Sequence, residues 1–530
     1  MTRFVGTGTL VRLILRRDRR RLPTWWLAQV GLVAVSAVSV QGLYDTPQAR
    51  AAYAATVGTS GASISMSGPP VALDTIGGIT VFEVATTAVI GVALMAVFLT
   101  LRHTRTDEEA GRTEMLRAGV LGRQADLLAT GLVVGLASVA VGAGIGIAFL
   151  AAGLPASGSL LYGASIAAVG LTFTGVGLVS AQVTEHARGA VGIGLAVLGI
   201  AFLLRAVGDV AENGLSWASP IGWTQATNAF GDERWWPLLP AVLLGPALAV
   251  VAGWLTTRRD IGSGLVSPRP GRPAASRWLA GQVGLAARLQ RTALAGWACG
   301  MVVLGAAFGS LGEDVQGMIE GNPELEKVFT QASGGAGIVD AYFGTVLMIA
   351  ALVATGFTVS SVTRLRSEET ALRVEPLLAT PLGRVRWAAS SLVTTLVGTV
   401  VVLTATGLGT GLAYAAVAQD LGQVWFLTGA TLAYLPAALV LAGIGVALFG
   451  WVPRLGGLVW AALTVCVVVG WLGQLLRLPD AVVRLSPYDR TPQVPLVGLD
   501  WTPLLVLTAV AAGLTAAGLA GLRRRDLATG

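Results

Sequence analysis

From residue 127 to residue 184 the chain runs for 58 residues without one charged side chain. Water cannot solvate such a stretch, and inside a bilayer only a structure that satisfies its own backbone groups is stable, so membrane-crossing helices are implied. The run is long enough for two of them. Gly153-Leu-Pro-Ala-Ser-Gly-Ser159 supplies the break, because proline and glycine interrupt helices. The rest of the chain is similar: of 530 residues, 12% are charged and 54% hydrophobic, where a soluble domain carries about 25% charge.

Uncharged runs of about 18 residues or more predict twelve spans. In the first half these are 24–43, 84–101 (extended outward by 79–83), two within 127–184, 189–204 and 235–257. In the second they are 292–312, 341–363, 387–419, 422–452, 455–476 and 501–522. The expected fold is an all-α polytopic membrane protein of about twelve transmembrane helices. With the N-terminus cytoplasmic, the inner segments hold 29 of the 36 basic residues. The positive-inside bias therefore predicts both termini inside. Six spans per half give the two halves one orientation, a parallel repeat.

The net charge of +7 reads as anchoring charge, since no basic domain exists to hold nucleic acid. Two cysteines, Cys299 and Cys466, both in apolar runs, support neither a disulfide framework nor a zinc site. His103 and His186 have no ligand cluster around them, and solvent or lipid headgroups suffice for both. The segment Leu10-Val-Arg-Leu-Ile-Leu-Arg-Arg-Asp-Arg-Arg-Arg21 reads as a cationic amphipathic helix on the inner membrane surface. The expected domains are a first six-helix half over 1–260, a Ser/Pro/Gly/Arg-rich cytoplasmic linker over 261–277, and a second half over 278–530.

A charged element after the second span recurs after the eighth. The first copy is Arg105-Thr-Asp-Glu-Glu-Ala-Gly-Arg-Thr-Glu-Met-Leu-Arg-Ala-Gly-Val-Leu-Gly-Arg123. The second is Arg366-Ser-Glu-Glu-Thr-Ala-Leu-Arg-Val-Glu-Pro-Leu-Leu-Ala-Thr-Pro-Leu-Gly-Arg384. Ten of the nineteen positions are identical. Thr106 and Ser367 stand where helix caps would, with acids directly after them. Glu108 to Arg112 and Glu369 to Arg373 have the spacing of i,i+4 ion pairs. Further echoes are Arg258-Arg-Asp260 and Arg524-Arg-Asp526 after the last span of each half, Ser219-Pro220 and Ser486-Pro487, and Arg16…Arg19…Trp25 against Arg288…Arg291…Trp297.

The second copy, from Glu369 through Leu377-Leu-Ala-Thr-Pro381 to Arg384, resembles the loop between the second and third helices of ABC-2-type transporter permeases. The whole chain is similar to the polyketide-antibiotic and multidrug exporter permeases of GC-rich bacteria, with two six-helix halves fused. The resemblance implies a coupling helix in each loop, which makes Glu108, Glu109, Arg112, Glu114, Arg123, Glu368, Glu369, Arg373, Glu375 and Arg384 candidates for contact with an ATPase. The first copy departs from the pattern, with Ala118-Gly-Val120 in place of Ala379-Thr-Pro381, so the resemblance does not extend to equivalent coupling of the two halves. The resemblance also implies two copies of a separate ATPase subunit that carry ATP and Mg, a bacterial cytoplasmic membrane, and hydrophobic or amphipathic cargo such as antibiotics moved outward. No cofactor is expected on this chain: its one lysine, Lys327, lies in no phosphate-cradling Gly-rich loop, so the chain is no ATPase itself.

Family analogy places the pathway between the second and fifth helices of each half, with Phe82, Phe98, Phe202, Phe343, Phe357 and Trp471 as lining candidates. Arg205 with Asp209, and Arg477 with Asp480, recur at the outer ends of spans five and eleven. They are candidates for a structural contact or an outer gate, because charge in a membrane needs a partner. The alternative is an ion-gradient-driven twelve-helix secondary transporter, which usually carries ionisable residues at mid-membrane. A membrane-embedded lipid enzyme would need a clustered catalytic set that is missing here.

Overall fold

The structure is a computed structural model and describes residues 3–58, 61–119, 121–266, 273–312, 337–472, 483 and 485–525. It is helical, with one isolated β-bridge among the described residues. Eleven helices among them are long and apolar enough to cross a membrane, and Leu458–Gly470 is a shorter apolar one. The protein is a polytopic α-helical membrane protein. It forms two compact units, Met1–Gly271 and Arg272–Gly530.

The first unit contains α1 (Thr7–Arg17), α2 (Arg21–Leu43), α3 (Pro47–Val57), α4 (Gly61–Ser67), α5 (Ile76–His103), α6 (Arg105–Glu109), α7 (Arg112–Arg117), α8 (Ala125–Ala151), α9 (Ala156–Val183), α10 (Ala187–Val210), α11 (Pro220–Gln225) and α12 (Leu238–Thr256). α5 and α9 form its buried centre, with Val92, Ile145, Phe149, Ile166 and Phe173 in the core. Lipid tails are as apolar as leucine, so close backbone approach has to supply the cohesion here. At the α8–α9 crossing a Cβ on Gly163 would lie 2.5 Å from the carbonyl oxygen of Gly142.

α1 corrects an expectation. It ends at Arg17, and Arg21 already begins α2. Its apolar stripe, Leu10 and Ile14, is buried against Ala125, Ala129 and Val133 of α8 rather than left for lipid. Backbone bonds from Gly122 N to Val5 O (2.9 Å) and from Gln124 N to Arg3 O (3.1 Å) hold the chain before it.

The second unit contains α13 (Gln282–Ser310), α14 (Ile338–Thr370), α15 (Glu375–Leu378), α16 (Arg384–Ala418), α17 (Gly422–Leu432), α18 (Leu435–Trp451), α19 (Leu458–Leu472) and α20 (Trp501–Arg524). The run 422–452, expected as one span, is one candidate span over Gly422–Trp451, with its helical ladder interrupted at Ala433 and Tyr434. Pro436 in the first turn of α18 has no N–H to continue the ladder. The span expected over 455–476 is described as far as Leu472, and its remainder lies outside the described residues. The core gathers Leu347, Phe343, Phe357, Tyr434 and Tyr488.

Candidate functional site

The charged element of the first unit is tied down by buried ion pairs. Arg105 is fully buried and donates to Glu185 O (2.8 Å), Ser263 O (3.0 Å), Gly262 O (3.2 Å) and Glu108 Oε2 (2.9 Å). Glu108 also takes a two-pronged bond from Arg259, Nη1 to Oε1 at 2.5 Å and Nη2 to Oε2 at 2.8 Å. Gly262 N donates to the same carboxylate at 2.7 Å. Burying charge is costly unless it is paired and fully hydrogen-bonded, and this set meets that condition. Arg123 closes the arrangement by donating to the carbonyls of Thr256 (3.0 Å) and Arg259 (3.2 Å).

The second unit repeats the ion pairs at the centre of this set. Arg525 grips Glu369 with Nη1 to Oε1 at 2.8 Å and Nη2 to Oε2 at 3.0 Å. Arg366 donates to Glu369 Oε2 at 3.2 Å, and Arg384 to Arg525 O at 2.8 Å. Arg105, Glu108, Arg123 and Arg259 thus correspond to Arg366, Glu369, Arg384 and Arg525. In each unit the arginine that follows the last helix clamps the acid that stands just before the exposed turn of the charged element.

Two expectations about this element fail. The i,i+4 pairs do not form: α6 ends at Glu109, and Gly111 turns the chain with φ +71°, which takes Arg112 off the helix face. Arg112 instead bonds Asp107 Oδ1, with Nη2 at 2.6 Å, and Arg17 holds the same carboxylate at 2.5 and 3.0 Å. That hydrogen bond pushes the pKa of the Arg17 guanidinium up. In the second unit α14 stops at Thr370, and Leu372 takes φ +57° at the position of Gly111, so Arg373 leaves the face in the same way. Nor are Thr106 and Ser367 helix caps, since each lies within a helical segment.

Two of the other element residues are bonded to neighbouring backbone or side chains. Glu109 accepts from Ala187 N at 2.9 Å, and Glu368 from Arg364 at 2.8 Å. Glu114, Arg112, Arg373 and Glu375 are exposed. Beside them Met115 is 71% exposed, Leu116 37% and Leu372 43%. Each unit therefore presents exposed apolar side chains among charges on a loop held rigidly from beneath. The linker expectation is also revised: residues 261–266 belong to the first unit's clamp, with Leu265 N and Val266 N bonded to Gln182 O and Val183 O.

His103 is buried, not solvated. Its Nε2 meets Asp18 Oδ2 at 2.5 Å, and Arg102 reaches Asp18 Oδ1 at 3.2 Å. Sequence reasoning missed Asp18, Arg17 and Arg259, all of which act across long separations. The signal for Arg259 was present, because the Arg-Arg-Asp echo coincides with the echo of the loop it clamps.

The aromatic candidates occupy unlike places. Phe82, Phe343 and Phe357 are buried. Phe82 borders a cavity of about 50 Å³ beside Tyr162, Ser165 and Thr227, while Phe343 packs edge-on to Tyr414 with ring centres 4.7 Å apart. Phe202 lies under the Arg205 guanidinium at 4.5 Å, and Phe98 is 39% exposed. Nothing is described of the Trp471 side chain, and Arg477 and Asp480 lie outside the described residues. Arg205 is fully buried, 3.6 Å from Asp209, and donates to the carbonyls of Ile64 (3.3 Å) and Met66 (3.1 Å), which fastens α4 to α10.

Residues 279–523 match the family described as "Multidrug efflux system permease Rv1217c, C-terminal domain". Over 528 residues, 99% of this chain and 96% of the relative, the sequence is 37% identical to the "Multidrug efflux system permease protein Rv1217c" of Mycobacterium tuberculosis (strain ATCC 25618 / H37Rv). The chain belongs to the Rv1217c family of multidrug efflux system permeases.

Proposed function

We propose that this chain is the membrane-spanning subunit of an ATP-driven exporter of hydrophobic or amphipathic compounds, with two ABC-2-type halves fused in parallel and both termini cytoplasmic. The observation that carries the reading is the duplicated clamp, Glu108 with Arg259 and Glu369 with Arg525. A loop that only joined two helices would not need the same buried ion pair in both units. A loop that must pass force to the helices around it does, because a rigid mount converts a push into helix movement.

In this reading each of two copies of a separate ATPase subunit, which carry ATP and Mg, docks on one exposed face. The contacts are Met115 and Glu114 on one loop and Leu372 and Glu375 on the other. Closure of the ATPase pair displaces the loops. The clamp then carries the displacement to α5, α8 and the end of α12 in one unit, and to α14, α16 and the end of α20 in the other.

The test is transport of a fluorescent amphiphile into inside-out vesicles that contain this chain and its ATPase. The reading predicts uptake that requires hydrolysable ATP and survives ionophores. Uptake abolished by ionophores but indifferent to ATP would favour an ion-gradient-driven carrier.

A further inference from the structure

Beside Phe98 a groove of about 640 Å³ opens on the first unit, bounded by α2, α5 and α10. That size falls within the roughly 300–1,000 Å³ range of small-molecule sites. Trp25, Phe98, Leu101 and Val191 contribute apolar lining, and Arg20, Arg21 and Arg102 join it from the start of α2 and the end of α5. Arg20 and Arg21 are exposed, and the lining contains no carboxylate. The Asp18 that Arg102 meets at 3.2 Å is itself buried and shared with His103.

The second half lacks this collar. The register that pairs Arg16, Arg19 and Trp25 with Arg288, Arg291 and Trp297 places Thr292 and Ala293 opposite Arg20 and Arg21. The register that pairs Arg105 with Arg366 places Thr363 opposite Arg102, and the buried Val359 opposite Phe98. The clamp charges recur in both halves, whereas these arginines occur in one. They therefore serve something other than the shared framework.

We propose that the groove is a cargo site for single-headed anionic amphiphiles, with the tail on Trp25 and Phe98 and the head on Arg20 and Arg21. The proposal rests on the transport reading above. Guanidinium groups favour carboxylate, sulfonate and phosphate heads, with which they form charge-assisted bonds. A cationic or neutral compound with the same tail gains only the apolar wall.

The test uses the full chain in phosphatidylcholine nanodiscs, with pyrene-dodecanoate and the neutral pyrene-dodecanol as fluorescent probes. Wild type is expected to prefer the anionic probe. The Arg20→Gln, Arg21→Gln double variant should bind it at least about tenfold more weakly and bind the alcohol unchanged. Phe98→Ala should weaken both probes. A control pair on the same basic segment, Arg12→Gln with Arg16→Gln, should leave binding intact.

Equal losses from the two arginine pairs would reduce the effect to general surface charge and overturn the proposal. So would full displacement of the probe by phosphatidylglycerol in the disc, which would make the groove a resident-lipid site. Binding is read without an ATPase. Intact ATPase coupling with charge-blind binding overturns this proposal alone, whereas arginine-dependent binding without coupling overturns the transport reading.

Discussion

Glu108 and Arg259 are 151 residues apart and meet in a two-pronged ion pair whose side chains are each 8% exposed. Removing the glutamate leaves Arg259 and Arg105 buried without their shared counter-charge, and breaking a buried pair in this way costs about 3–5 kcal/mol in protein interiors. Glu108→Gln should therefore lower the thermal stability of the purified chain sharply, and Glu369→Gln should do the same through Arg525. A double-mutant cycle on Glu108 and Arg259, followed by thermal size-exclusion chromatography, should return a coupling of about 0.5–3 kcal/mol. Additive single losses would remove the clamp from the account.

Asp107 joins α1 to the charged element through Arg17, and shares its carboxylate with Arg112. Asp107→Asn should loosen both partners. Hydrogen exchange over Thr7–Arg17 should then accelerate while exchange in α9 stays slow. Leu10→Ala should release the same helix from its apolar side, at about 2–5 kcal/mol for a buried leucine. Protection of α1 unchanged by either substitution would contradict its description as a docked helix.

Leu372 holds a left-handed backbone at the position where the first loop has Gly111. A Cβ in that region costs about 1–2 kcal/mol. Leu372→Gly should relieve the strain and raise the unfolding temperature of the purified chain. If the exposed leucine is an ATPase contact, the same substitution should weaken ATPase stimulation. A variant both less stable and fully stimulated would oppose the prediction on each count.

Arg205 uses two guanidinium nitrogens on two carbonyls of α4 and stands over Phe202. Lysine offers a single point charge and cannot reproduce that fork. Arg205→Lys should therefore expose Gly61–Ser67 to limited proteolysis nearly as much as Arg205→Ala does. A lysine variant as resistant as wild type would show that charge alone suffices.

Much of the fold was legible in the sequence because its signals are long and additive. Charge-free runs located the helices but not all of their ends. α13 begins at Gln282, ten residues before the run over 292–312, and α14 continues to Thr370, seven beyond 363, because both helices run on through arginines. Gly153-Leu-Pro155 marked the break before α9. The repeated loop was also visible as a repeat. Its internal pairing was not, because the i,i+4 rule assumes a continuous helix, and a left-handed residue interrupts the chain before Arg112 and before Arg373. The true partners, Arg259 and Arg525, come from the far end of each unit, where sequence spacing carries no contact information. Phe343 and Phe357 show the same limit: a large aromatic in an apolar helix reads alike whether it lines a path or fills a core.

The most direct test of the central claim is co-purification of the chain with a co-expressed ATP-binding subunit in lipid, comparing wild type with Glu114→Arg and Glu375→Arg. Both residues are exposed and outside the clamp, so the variants should elute as folded protein. Coupling through these loops predicts a stable complex with stimulated ATP hydrolysis, weakened by each substitution and abolished by the pair. A chain that captures no ATPase, or a complex whose hydrolysis ignores both substitutions, would contradict it.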